Sequence, residues 1–322
     1  MTGVALTGPY WVAVRQHRWA LRGLLACAVV AVALLVTSRL WSDSAADALR
    51  AAGCAVGSTN PSCFQTADAY TDDRWFARHL VEYTALGMAA LPVLLGAFLA
   101  GPVIARELES GTYKMAWTQS VTPTRWLAAK LAVPTALVLT CVPVVSAVFF
   151  WSWSTGPARD FPTYWYDTAI FSSLGVVPLA NALLGIGLGT VVGLVVRRTV
   201  VAMGVAAAVT GTVLATLAWL RPSLWPVETV TGRELSLRVS DAWVLGNGMV
   251  TSTGERVGWE YCASRPEVAR DCMIGRGGVS DFVDFHPYAH FWPLQLVETG
   301  ILLALAALAA YAAFRVLRAR LP

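Results

Sequence analysis

The sequence predicts an all-α integral membrane protein with six transmembrane helices and both termini in the cytoplasm. Three observations carry this. The first is composition: of 322 residues, 56% are hydrophobic and 14% charged, with mean hydropathy +0.57, where a soluble domain carries about a quarter charged residues. The second is run length. A bilayer crossing takes about 20 mostly apolar residues, and six runs qualify, at 21–38, 81–104, 126–150, 169–196, 200–220 and 292–314. The third is charge by side. With the N-terminus inside, the inner segments hold twelve Lys and Arg and only two acids, Glu107 and Glu109, a net of +10; the outer segments hold twelve cations and eighteen acids, a net of −6, over a longer stretch of chain. Dense cations beside span ends mark the inner side. Residues 1–322 therefore read as one polytopic domain. The inner cations are scattered over four short segments, so no nucleic-acid partner is expected.

The elements follow in order. Residues 9–20 mix Trp11, Val14 and Trp19 with Arg15 and Arg18, which predicts an elbow helix lying in the inner interface. The first span lacks a small-residue cleavage site after it and is expected to remain as a span. The outer loop 39–80 predicts short helical turns, with a turn at Asn60-Pro61. Cys27 and Cys141 fall inside spans and read as inert packing residues. Cys54, Cys63, Cys262 and Cys272 fall in outer loops as two local pairs, which on an oxidising face point to disulfides. Cross-pairing stays open, and the wide spacing disfavours zinc with His286 and His290.

Span two contains Pro92 and ends at Gly101-Pro102, before a polar island at 106–121. One helix is expected there, with Tyr113, Ala116, Trp117 and Val121 on one face and Glu107, Glu109 and Lys114 standing off it. Gly111 lets the chain turn, Pro123 stops the helix, and Arg125 and Lys130 pin span three. Such a helix fits a cleft in a peripheral protein, or simply anchors a loop. Pro134 and Pro143 mark kinks in span three. In span four, Gly185, Gly189 and Gly193 bare the backbone for close approach by another helix, within the chain or across a dimer; Asn181 reads as an interhelical hydrogen-bonding residue. Arg197-Arg198-Thr199 joins spans four and five in a tight hairpin. The outer loop 221–291 predicts small β or re-entrant elements from pieces such as 243–250. Glu82 and Glu298 lie near outer span ends. Each is a functional acid or a headgroup-level ion pair, with Arg78 the expected cation near Glu82.

No phosphate-binding Gly-x-x-x-x-Gly-Lys-[Ser/Thr], His-Glu-x-x-His or Gly-x-Ser-x-Gly occurs in the sequence. The chain is thus expected to be no enzyme by itself and to bind no cofactor or metal. Sparse intramembrane acids count against an ion-coupled transporter. Two rivals stand beside a driven bundle. One is an integral-membrane enzyme acting on lipid precursors, with His286, His290, Asp281 and Asp284 as its only candidates. The other is a sensor or scaffold whose outer loop binds a ligand.

The segment 106–131, from Arg-Glu-Leu-Glu-Ser-Gly-Thr-Tyr-Lys through Thr-Gln-Ser to Ala-Ala-Lys-Leu, resembles the coupling region of type-2 ATP-binding-cassette exporter permeases. Residues 11–18 (Trp-Val-Ala-Val-Arg-Gln-His-Arg) and 285–300 (Phe-His-Pro-Tyr-Ala-His-Phe-Trp-Pro onward) are similar to its actinobacterial branch. The resemblance covers the six-span frame. It implies a multi-pass plasma-membrane permease that pairs with a second copy or a sister permease, contacts membrane lipid, and is driven by cytosolic ABC ATPase subunits that carry ATP and Mg. It implies export of an amphipathic or hydrophobic drug, lipid-like molecule or peptide. Glu107, Glu109, Gly111 and Thr112 match the coupling motif, and Arg106, Tyr113, Lys114 and Trp117 complete the expected ATPase-coupling surface. Glu298 matches an acid recurring in the last span of that branch, and His290 stands where relatives often have Arg.

Overall fold

A computed structural model describes residues 9–118, 121–154, 163–232, 241–262 and 269–320. Among the described residues six helices are long and apolar enough to cross a membrane, as the run lengths predict. Their ends differ from the apolar runs. The first, α1 (Pro9–Ala51), is helical without a break, so no separate elbow is set off at residues 9–20. It also continues past the apolar run, and α2 begins early, at Phe64. The short turns expected over 39–80 are replaced by two helix extensions. Beyond the apolar runs these extensions satisfy each other: the Trp41 indole donates to Asp73 at 2.8 Å, and Ala45, Leu49 and Tyr70 form a small buried cluster. Between them, Asn60 accepts from the Ser62 N–H to start a 3₁₀ turn, Pro61–Cys63, and Cys54 is bonded to Cys63.

Helix α2 (Phe64–Leu94) passes into a π-helical segment, Leu95–Ala100, and then α3 (Gly101–Ser110). Pro92 has no N–H to give, and the ladder resets downstream, where the Gly101 N–H reaches back five residues to the Gly96 carbonyl. Gly111, at φ +73°, ends α3 in the left-handed conformation. The island is therefore two pieces, not one helix over 106–121: 106–110 closes span two, and α4 (Thr112–Thr118) follows the turn. Gln119 and Ser120 lie outside the described residues. Pro123 begins α5 (Pro123–Ser154) instead of merely stopping a helix, as suits proline at a first helical position. Helix α5 continues through Pro134 and Pro143.

Span four starts later than its apolar run. A short α6 (Thr168–Phe171) is followed by a break with Gly175 at φ +64°, then α7 (Val177–Val196). The Ser146 hydroxyl lies 3.1 Å from the Ser173 carbonyl and 3.0 Å from that of Gly175, so the broken backbone is tied to α5. Arg197, at φ 55°, turns the chain into α8 (Thr199–Leu220). The remaining elements are β1 (Glu228–Thr231), β2 (Trp243–Thr251), β3 (Arg256–Gly258), α9 (Ala269–Gly275), β4 (Gly278–His286) and α10 (Phe291–Arg320).

Two compact units result. In the first, α7 is the central helix: 67% of its most apolar window is buried, against 11% for α1 and 22% for α8. Leu95, Leu99, Val138, Val142, Ala182 and Ile186 fill one core layer. Ile104, Leu108, Trp126, Leu127, Leu194 and Leu317 fill another. Cys27 is exposed and Cys141 half-exposed, so neither is the packed core residue the sequence predicts. The second unit, residues 164–166 and 217–298, carries an antiparallel sheet of order β1-β4-β2-β3. Glu228 is opposite Phe285, Met249 opposite Asp281 and Val257, and the β2–β4 register slips between Val244 and Gly246. Cys262, bonded to Cys272, packs with Met249 and Met273.

Candidate coupling element and helix seam

The polar island divides its residues between internal ties and an exposed rim. Glu107 projects from α3 into protein. One carboxylate oxygen accepts from Lys130 Nζ at 2.6 Å and the other from the Trp126 indole at 2.8 Å, with the acid 13% and the lysine 6% exposed. It is a strut between α3 and α5, not a group standing off the helix for a partner. Lys130 likewise pins span three through this acid as well as through its depth. Glu109 is exposed, but its Oε2 accepts from the Thr199 backbone N–H at 2.9 Å and hydroxyl at 2.7 Å. A carboxylate there caps the start of α8, whose first N–H groups have no helical acceptor.

Tyr113, Trp117 and Val121 fold back on the cluster of Ile104, Leu108 and Trp126. The Tyr113 and Trp117 rings meet edge to face at 4.8 Å, and those of Trp117 and Trp126 at 6.3 Å. What remains outward is Arg106, Ser110, Thr112, Lys114, Met115 and Arg125, with Met115 70% exposed. Sequence reading missed Met115, Trp126 and Thr199. Met115 had a signal, an apolar residue on the polar face; Trp126 and Thr199 had none without the fold.

The glycine line in α7 meets span two of the same chain. A Cβ on Gly185 would sit 2.1 Å from the Pro92 carbonyl oxygen; on Gly189 and Gly193 it would sit 2.5 Å from those of Gly96 and Gly101. The contact is reciprocal, since a Cβ on Gly96 would lie 2.8 Å from the Gly185 carbonyl oxygen. The π segment thus lies backbone to backbone on α7. Gly187 looks elsewhere, toward Ala309 of α10 at 3.1 Å. Asn181 is 5% exposed, and its Oδ1 has no hydrogen-bond partner among the described residues.

In the loop unit, Glu298 receives Arg221 through two parallel bonds of 2.7 and 2.9 Å, both side chains 3% exposed. The acid near the end of span six is thus neutralised within the unit. Glu82, at the corresponding end of span two, takes Arg78 at 2.7 Å, as expected, and also His79 at 3.1 Å. His286 is fully buried. Its Nε2 lies 2.9 Å from the Pro222 carbonyl and its Nδ1 3.0 Å from His290 Nδ1. The carbonyl can only accept, so Nε2 carries the proton and Nδ1 accepts from His290. Burial, and secondarily the neighbouring His290, hold the His286 pKa below the usual histidine value against the opposing pull of the Pro222 bond and Glu228. Asp284 is held by Thr229 at 2.5 Å and by Arg256, Asp281 by Arg270 at 3.4 Å. Every acid and histidine proposed for a lipid-modifying site is engaged in a structural pairing.

A model of the ABC-2 membrane transporter related family matches residues 24–221. The chain belongs to that family. The matched stretch runs from span one to the end of span five and includes both the glycine seam and the coupling element. No curated protein and no solved structure matches the chain. As an ABC-2 member it is a multi-pass membrane permease of an ABC transporter, and the family implies the plasma membrane as its place and ABC ATPase subunits as its partners.

Proposed function

We propose that the chain is the membrane subunit of an ATP-driven exporter of the actinobacterial type, assembled with a second copy or a sister permease. Cytosolic ABC ATPase subunits bind ATP and Mg and do the hydrolysis; this chain carries no active site of its own. The cargo is amphipathic or hydrophobic, a drug, lipid-like molecule or peptide, in keeping with an apolar bundle whose acids Glu82 and Glu298 are paired. One observation carries the reading. The element Arg106–Thr118 is tied by Glu107 to α5 and by Glu109 to α8, while Arg106, Thr112, Lys114 and Met115 face outward. A cassette gripping that rim moves three helices at once, as alternating access by rigid bodies requires.

The test uses the permease co-expressed with its ATPase, in inverted vesicles given ATP and a fluorescent amphipathic dye in the medium, with dye uptake into the lumen as the readout. Lys114→Glu with Met115→Glu should abolish recovery of the ATPase on the permease and ATP-dependent dye movement, with membrane expression unchanged. Retention of both activities overturns the assigned rim, and dye movement by the permease alone without nucleotide overturns the driven mechanism.

A further inference from the structure

A cationic pocket lies between α1, α2 and α5 at the end of the apolar zone opposite the coupling element. It is a cavity of about 60 Å³ lined by Arg39, Arg74 and Arg78 together with Ser38, Ser42 and Ser152, and no acid among the described residues lines it. One water needs about 10–15 Å³, so a group of several heavy atoms fits. Two of the lining hydroxyl protons are committed: Ser38 donates to the Ala77 carbonyl at 2.8 Å and Ser152 to that of Leu35 at 3.2 Å. The guanidiniums are the charged donors a ligand meets. Arg74 is buried, bonded to Ser42 and set over the Tyr70 ring. Arg78 spends its Nε on Glu82 at 2.7 Å. Arg39 gives Nη2 to Asp43 at 2.9 Å, but its Nε and Nη1 are buried with no hydrogen-bond partner among the described residues, and the Trp151 ring 5.9 Å away backs the guanidinium. Buried charged donors without an acceptor are costly, and such groups commonly mark an absent ion or water.

Depth decides which anion. Arg39 directly follows the apolar run 21–38, and Val81, which opens the next run, also lines the cavity. Trp41, Trp75 and Trp151 are exposed beside it, as aromatic residues are at a headgroup belt. The charge bias puts this side outside. We propose that the pocket seats the phosphate of an anionic amphipath in the outer leaflet, held by the unpartnered Nε and Nη1 of Arg39 with Arg74 and Arg78 around it. Each of those N–H groups supplies a single charge-assisted hydrogen bond to a phosphate oxygen. The site is independent of the exporter reading and of the ATPase.

The experiment titrates the detergent-purified full chain with short-chain phosphatidylglycerol or phosphatidylcholine and counts bound lipid by native mass spectrometry. Saturable binding of one phosphatidylglycerol per chain is expected, weakened by about tenfold in Arg39→Gln and less in Arg78→Gln. Arg50→Gln, an exposed arginine of the same helix, should bind normally, and the thermal midpoint of each variant checks the fold. Displacement by inorganic phosphate assigns the free oxyanion as a sufficient ligand; no displacement assigns the lipid-borne group. Equal binding of the two lipids, or unchanged phosphatidylglycerol binding in both Arg39→Gln and Arg78→Gln, overturns the proposal.

Discussion

Substituting alanine along the glycine line of α7 should destabilise the permease in an order fixed by the seam. Ordinary van der Waals contact begins at 3.4 Å, and a Cβ on Gly185 would start 2.1 Å from the Pro92 carbonyl, so the helices must part by 1.3 Å there. At Gly189 and Gly193 the shortfall from 2.5 Å is 0.9 Å, against Gly96 and Gly101. All three obstacles are backbone, which cannot rotate away. At Gly187 the shortfall from 3.1 Å is 0.3 Å, against the Ala309 side chain, and at Gly204 of α8 nothing lies within 4 Å. Overpacking costs about 1–3 kcal/mol, while an unhindered helical Gly→Ala gains up to about 1 kcal/mol. Gly185→Ala should therefore lose about 3 kcal/mol, Gly189→Ala and Gly193→Ala about 2, Gly187→Ala little, and Gly204→Ala nothing. Thermal midpoints of the detergent-solubilised protein, read by size-exclusion chromatography, measure the order. Because the seam lies inside one chain, the losses should not vary with protein concentration. Equal midpoints for Gly185→Ala and Gly204→Ala would refute the argument. A concentration-dependent loss would move the glycine line to a dimer interface.

Two further outcomes follow from the polar pairs. Glu107→Gln removes the acid facing buried Lys130 and should cost about 3 kcal/mol, while Glu107→Gln with Lys130→Met should recover most of it; equal midpoints for the single and double variants count against the strut. His286 has a folded pKa below its ordinary value, so the unfolded chain takes up a proton first as pH falls. The loop unit should be fully stable above about pH 6.5 and weaken below it, as followed by tryptophan fluorescence during thermal unfolding, and His286→Gln should flatten that slope; an unchanged slope in the variant would clear His286 of the effect.

The six crossings were legible because lipid leaves the backbone no option but helix, so run length alone reports them. Helix ends were not legible where protein takes over from lipid as the solvent of the backbone. The sequence from Arg39 to Leu80 is polar enough to read as loop, yet Trp41 with Asp73 and Arg74 with Ser42 sustain paired helices there. The start of span four failed in the opposite sense. Residues 169–176 are apolar enough for helix, but a left-handed Gly175 breaks them and Ser146, 29 residues away, takes up the freed carbonyl. At the candidate site, the glycine spacing reported a close approach but not its partner. The acids were visible as acids, but what each holds was not: Glu107 meets a lysine 23 positions on, Glu109 a helix start 90 positions on, and Glu298 an arginine 77 positions back. Such separations are settled only when the helices pack.

These pairings decide which parts of the bundle move as one. Span two with α3 cannot slide on α7, because backbone meets backbone at three glycines and any shift meets a carbonyl. Glu109 fixes α3 to the start of α8, and Glu107 fixes it to α5. Force applied to the exposed rim around Lys114 therefore reaches a block of four helices through the packing of Tyr113 and Trp117 on Leu108 and Trp126. Helix α1 is the least enclosed: its apolar window is 11% buried, and Ser38 with Ala77, Trp41 with Asp73, Ser42 with Arg74 and Leu35 with Ser152 tie its C-terminal half to α2 and α5. A motion that opens a path at lowest cost parts surfaces held by lipid-like side chains before it parts the seam. The glycine seam is on that ground the last contact of the bundle to part, since its obstacles are backbone carbonyls.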